Sequence, residues 1–164
     1  LGAIHPRKNV EMAIKVANWV NMPLTIVGPV RHSGYFCKKV RKKLNEKITY
    51  HGEAMGEIKN HLLKNAKALL YLSSWESFGL SVIEAMVAGT PVITSNIPPF
   101  HETVKQGITG FICNNKKEYI QAIKELPSIQ PTACRERVLQ YFTKESMAKG
   151  YEKLYQKAIE KNNW

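Results

Sequence analysis

Short β-rich runs alternating with longer helical segments constrain this chain more than any other feature of its sequence. Leu24-Thr25-Ile26-Val27 is closed by Gly28-Pro29, a strand running into a turn. Upstream of it, Val10, Ile14, Ala17 and Val20 recur at helical spacing. Residues 47–50 form a second β-rich run that stops at His51-Gly52, and residues 56–66 carry Ile58, Leu62 and Leu63 at helical spacing. Residues 68–73 are nearly all apolar, as a strand buried on both faces should be. Residues 80–88 read as a helix ended by Gly89, and residues 91–94 and 111–112 as two further strands. A helix over residues 116–126 is broken by Pro127 to Pro131, and the last segment, about 144–161, places Met147, Tyr151, Leu154, Tyr155 and Ala158 on one helical face. Strands recurring roughly every 20–25 residues with helices between them make a parallel α/β sheet with right-handed crossovers. Ligands of such sheets sit outside the carboxyl ends of the strands. The functional search therefore narrows to the loops over residues 3–8, 28–34, 51–55, 73–79 and 95–100.

Composition removes several function classes. The 164 residues, 44% hydrophobic and 23% charged, suit one globular domain and not a disordered polyelectrolyte. The longest apolar runs fall far short of the ~20 residues that a membrane span needs. No charged-then-apolar leader opens the sequence, and Cys37, Cys113 and Cys134 lie at no metal-ligand spacing. They read as reduced thiols, so a cytoplasmic location is expected. The surplus of basic residues gives a net charge of +11, which favours anionic partners. Lys38, Lys39, Arg41, Lys42 and Lys43 form its densest block. With Val40 and Leu44 four apart, that block reads as a solvated face of an amphipathic helix. Peripheral contact with an acidic membrane, at its inner face, is the second reading and nucleic-acid binding the third. No zinc-finger spacing, RNP-type aromatic motif or basic-zipper heptad is present, so no specific nucleic-acid partner is expected.

The segment from Leu72 to Glu84 carries the most chemistry. A buried strand ends near Ser73, a polar loop holds Trp75, Glu76 and Ser77, and Phe78-Gly79 opens a helix. The first N–H groups of that helix lack intrahelical partners and bear partial positive charge. They are suited to an anion, and Gly79 lets one approach the backbone closely. Glu84, about a turn and a half into the helix, can hold hydroxyls as acids beside dinucleotide sites hold a ribose. Glu76 lies on the loop, free to face a sugar. Taken one at a time, these acids could equally compensate a helix dipole or simply be solvated.

In context they resemble a known family. Glu76-Ser-Phe-Gly-Leu-Ser-Val-Ile-Glu84, followed by Ala85-Met86-Val87-Ala88-Gly89-Thr90-Pro91-Val92-Ile93, is similar to the donor-site signature of the family-4 retaining glycosyltransferases of the GT-B fold. Gly2-Ala-Ile-His-Pro-Arg-Lys8, Leu24 to Gly28, Tyr50-His51-Gly52, Glu102 to Gly107, Thr109-Gly-Phe and Tyr141-Phe-Thr-Lys-Glu-Ser-Met-Ala follow the family's order along nearly the whole chain. The resemblance implies a Rossmann-like three-layer α/β/α domain over residues 1–164, with a mostly parallel sheet of five to six strands. By the same resemblance, such a domain would be the C-terminal, donor-binding half of a GT-B enzyme. The chain opens on the end of a first strand, so an N-terminal acceptor domain is the expected missing partner, with the last helix packing back toward it.

The same resemblance implies roles for single residues. Glu84 would hold the ribose, while Ser77, Phe78, Gly79 and Leu80 would face the donor at the helix start. Glu76 would bind hydroxyls of the transferred sugar. Lys8 would pair with the diphosphate of the nucleotide-sugar and offset charge on the leaving group. Gly2, Gly28, Gly52 and Met55 would frame the nucleotide. No cofactor and no metal are expected, and transfer would retain anomeric configuration to a lipid-linked or polysaccharide acceptor. One departure stands out. Ala3 occupies the place of an arginine that would hold the second phosphate, leaving Arg7 and Arg31 as the nearby guanidinium groups. It leaves open a degenerate binding module without turnover. A dehydrogenase is disfavoured because no Gly-x-Gly-x-x-Gly follows any of the strands.

Overall fold

A computed structural model describes residues 1–161. Five strands form: β1 (Leu24–Val27), β2 (Ile48–Gly52), β3 (Leu69–Tyr71), β4 (Val92–Ser95) and β5 (Gly110–Cys113). Every pairing between them is parallel, in two hydrogen-bonded groups ordered β1-β2 and β3-β4-β5. Parallel strands demand a crossover between neighbours, and the helical segments supply it. They are α1 (Val10–Trp19), α2 (Ser33–Tyr35), α3 (Gly56–Asn65), α4 (Leu80–Val87), α5 (Pro98–Thr103), α6 (Lys116–Glu125), α7 (Pro131–Tyr141) and α8 (Lys144–Lys161). α1 packs on α6, and α3 and α7 pack on α4, giving the two helical layers of a Rossmann-like domain.

Two apolar clusters follow the division of the sheet. Leu69, Tyr71, Val82, Met86, Ile93, Phe100 and Phe111 belong to one. Ile4, Ile14, Ala17, Ile26, Val40 and Ile48 belong to the other. Between them lies a cavity of about 500 Å³, lined from β1 by Leu24 and Val27, from β3 by Leu69 and Leu70, and from the helices by Leu63 and Ile123. Among the described residues β1 and β3 are not hydrogen-bonded to each other, and both line this space, which Lys59, His61 and Asn65 also border.

The structure departs from the sequence pattern in three places. α7 begins at Pro131, inside the segment read as a helix break, and α5 begins at Pro98 in a stretch read as loop. Proline at the first turn loses no hydrogen bond, because that N–H has no intrahelical partner, so it starts a helix as readily as it stops one. The basic block is not a regular α-helix. After α2 the chain continues as a π-helical turn (Phe36–Val40) and a 3-10 turn (Arg41–Lys43), and Leu44 turns out extended. Lys43 donates to Glu11 at 2.7 Å and Lys39 lies 3.9 Å from the same carboxylate, which lowers the Glu11 pKa, chiefly through the Lys43 hydrogen bond. Among the described residues, no helix is long and apolar enough to cross a membrane.

Burial separates the three thiols. Cys113 and Cys134 are buried, and burial pushes their pKa values up to about 12 and about 11, whereas Cys37 is exposed. A thiolate is the reactive form. Titration of the native protein with a chromogenic disulfide should therefore count one fast thiol, and three after denaturation. Three fast thiols in the native protein would contradict the packing around β5 and α7.

Candidate functional site

Backbone hydrogen bonds draw the loops at the carboxyl ends of the strands together. Gly2 N–H donates to Val27 O and Gly28 N–H to Gly52 O, each at 2.8 Å. The Tyr50 hydroxyl reaches Gly28 O at 2.8 Å, and Ser74 N–H reaches Arg7 O at 2.8 Å. The three glycines of the expected site, Gly2, Gly28 and Gly52, are thereby consecutive neighbours. A Cβ on Gly28, at φ +142°, would stand 2.0 Å from Gly2 O, so only glycine allows this approach.

Lys8 and Glu76 meet at the centre of this end of the sheet. Lys8 Nζ lies 2.5 Å from Glu76 Oε1 and 2.8 Å from Oε2. Its side chain is 25% exposed and that of Glu76 10%. Tyr71, at the end of β3, joins them: its hydroxyl accepts from Lys8 Nζ at 2.8 Å and donates to Glu76 Oε2 at 2.9 Å. Burial alone would lower the Lys8 pKa, but the hydrogen bonds to Glu76 and Tyr71 outweigh it and hold the ammonium above the usual lysine range. For Tyr71, burial raises the hydroxyl pKa, and Lys8 opposes that rise only in part. At neutral pH the site therefore holds a protonated lysine and a neutral phenol.

Beside this cluster, Gly79 caps α4 in the left-handed region at φ +90°, with no side chain bonded to the helix start. A Cβ there would meet Phe100 at 2.9 Å. Ser77 and Leu80 are exposed around the helix start, while Phe78 is half-buried edge-on to Phe142. Glu84, one turn further, accepts a hydrogen bond from Lys59 Nζ of α3 at 2.8 Å. Met55 precedes α3 and is 74% exposed. Arg7 lies over the Trp75 ring, 5.3 Å from its centroid, and leaves its guanidinium at the rim of the loop where Ala3 carries none. His5 and His32 each cap a helical turn through Nδ1.

The structure thus sets Gly2, Gly28 and Gly52 in one row and Lys8 with Glu76 beside the start of α4, while Glu84 is paired with Lys59 of α3. The sequence reading missed Tyr71, taken there as one more apolar strand residue, and Lys59, one lysine among many on a helix. Tyrosine at the last position of a buried strand was the available signal, since its hydroxyl must find a partner near the strand end. For Lys59 there was none. Among the described residues, no cluster of three or more His, Cys, Asp or Glu is placed to hold a metal ion.

Residues 1–144 match the family described as Glycosyl transferases group 1. The chain belongs to that family. It is 31% identical over 149 residues to an uncharacterised 41.2 kDa protein in the cps region of Klebsiella pneumoniae, covering 87% of this chain and 40% of that protein. It is also 31% identical over 140 residues to the O-antigen chain mannosyltransferase RfbU of Salmonella typhimurium, covering 82% and 39% respectively. Among solved structures, AviGT4, a glycosyltransferase involved in avilamycin A biosynthesis, superposes with a TM-score of 0.82 at 23% identity over 97% of this chain and 50% of its own. Anabaena Alr3699/HepE, solved in complex with UDP and glucose, gives 0.75 at 17% identity over 95% and 47%. The fold of this group 1 chain is therefore shared with known glycosyltransferases. It spans about two-fifths of the length of those curated relatives.

Proposed function

We propose that this chain is the nucleotide-sugar-binding part of a glycosyltransferase. The observation that carries the reading is the Lys8–Glu76 pair set beside the uncapped start of α4. A cation and a row of free N–H groups suit a diphosphate, and the carboxylate next to them suits the hydroxyls of a sugar. Glu84 would take the ribose, with Lys59 holding one carboxylate oxygen and leaving the other free. Phe78, Gly79 and Leu80 would offer backbone N–H groups. When the bond between the anomeric carbon and the phosphate oxygen breaks, charge builds on the diphosphate, and Lys8 would offset it. A relative that transfers mannose in O-antigen synthesis, and a neighbour of this fold holding UDP and glucose, support the same reading. The acceptor would be a lipid-linked or polysaccharide glycan held by a further domain, with anomeric configuration retained and no metal required.

Calorimetric titration with UDP-, GDP- and ADP-sugars tests this directly. One nucleotide class should bind, and Glu84→Ala should weaken it at least about tenfold, the loss of a charge-assisted hydrogen bond to a hydroxyl. No binding of any nucleotide, together with salt-sensitive binding of DNA regardless of sequence, would replace this reading with a charge-driven polyanion domain.

A further inference from the structure

The Tyr71 hydroxyl is the one group in the cluster that touches both charged partners. Its ring is held from several sides: it is buried, packs edge-on against Phe100 with centroids 5.9 Å apart, and lies beneath Gly2, whose absent Cβ would sit 3.5 Å from Cε2. Its hydroxyl has one proton to give and two lone pairs to offer. Glu76 Oε2 takes the proton at 2.9 Å and Lys8 fills a lone pair at 2.8 Å. The Lys8 ammonium also stands over the ring face, 5.0 Å from its centroid. Lys8 hangs from a short 3-10 turn (Pro6–Lys8) and Glu76 from a loop, neither of which is stiff by itself. Tyr71 belongs to a buried strand of the central sheet. The rigid member of the trio is therefore the neutral one.

We propose that Tyr71 is a positioning residue, which fixes the Lys8 ammonium and the Glu76 carboxylate relative to the sheet so that both remain placed when a nucleotide diphosphate sugar separates them. The inference rests on the donor-binding reading above. In the ligand-free pair each charge neutralises the other, and a diphosphate that draws Lys8 away leaves Glu76, mostly buried, without its cation. The phenol then continues to donate to Glu76, which keeps a buried carboxylate satisfied at the moment its ion pair opens. It also continues to accept from Lys8, so the lysine does not swing into solvent with the long side chain's full rotamer freedom. A phenylalanine keeps the ring and its contact with Phe100 but can do neither.

The test compares Tyr71→Phe with the unaltered chain on two independent readouts. Binding of UDP-glucose, UDP-N-acetylglucosamine and GDP-mannose is followed by calorimetry, and the Lys8 side chain by NMR of lysine labelled at Cε. Tyr71→Phe should melt close to the parent, weaken the preferred donor about fivefold, and titrate Lys8 at lower pH. In a background carrying both Lys8→Ala and Glu76→Ala the same substitution should change donor binding less than about twofold, because its effect passes through those two side chains. Equal donor binding by Tyr71→Phe and the parent, or a Lys8 titration that does not move, would overturn the positioning role while leaving donor binding standing. A full effect of Tyr71→Phe in that doubly substituted background would overturn it too, and would make the phenol a ligand contact in its own right. Failure of the parent chain to bind any donor would overturn both readings.

Discussion

Gly28→Ala should abolish the cooperative thermal transition or lower it by more than about 10 °C, while Gly52→Ala should cost about 2–8 °C. Both glycines have positive φ, +142° and +91°, so both substitutions carry the penalty of a side chain in that region, about 1–2 kcal/mol. What separates them is contact. A Cβ on Gly52 meets nothing within 4 Å, whereas one on Gly28 lies 2.0 Å from Gly2 O, 2.6 Å from Gly2 C and 3.3 Å from Ala3 N. Those atoms are backbone and cannot rotate aside. The segment carrying Gly2 would have to leave, breaking its hydrogen bonds to Val27 O and Pro29 O and unseating Ile4, which is wholly buried. Losing such a buried side chain costs about 2–5 kcal/mol, a large part of the ~5–15 kcal/mol that keeps a domain folded. The same segment leads to Lys8, so a Gly28→Ala protein that stayed folded would still misplace the site. Melting followed by circular dichroism separates the cases. Equal transitions for the two variants would show that the Gly2–Gly28 approach is not tight in solution.

How far sequence reading reached depends on whether the deciding interaction was local. The strands were legible because short apolar or β-branched runs are bounded by turn-forming and polar residues, and each formed within a residue or two of its expected place. So were Glu76, Gly79 and Glu84, whose spacing is set by one loop and one helix. α5 and α7 were not, because Pro98 and Pro131 carry the same identity whether they begin a helix or end one, and only the packing of α7 on α4 decides. Helical spacing of Val40 and Leu44 suggested a regular helix in the basic block. The structure buries Val40 alone, and Leu44 is drawn off in extended conformation beside the turn that leads into β2. The pairings inside the site were the least legible. Lys8 and Glu76 are 68 residues apart and Lys59 and Glu84 25 apart, so both depend on how the sheet aligns its strand ends. Tyr71 was hidden for a further reason: an apolar strand pattern accommodates a tyrosine without showing where its hydroxyl goes.

Replacing Lys8 should have the largest effect on ligand binding. Lys8→Ala is expected to weaken both UDP and the preferred UDP- or GDP-sugar by about two orders of magnitude, roughly 2.7 kcal/mol. Two contributions act in the same direction. The charge-assisted contact to the diphosphate disappears, and Glu76, with only 10% of its side chain exposed, becomes an uncompensated negative charge facing an anionic ligand. Stability should fall less than for a fully buried pair, because Lys8 is 25% exposed and Tyr71 still donates to the remaining carboxylate. Glu76→Gln provides the opposing case. It frees Lys8 from its anion, so UDP alone should bind at least as tightly as to the parent, while the advantage of a nucleotide sugar over the bare nucleotide should shrink. Ionic strength adds a second check, since the parent's affinity for UDP should fall with added salt more steeply than that of Lys8→Ala. The two variants should therefore separate the two contributions, that of Lys8 to diphosphate binding and that of Glu76 to sugar binding. Unchanged UDP affinity in Lys8→Ala would remove the lysine from the phosphate site. The cation facing the diphosphate would then have to be sought at Arg7 on the rim of the same loop.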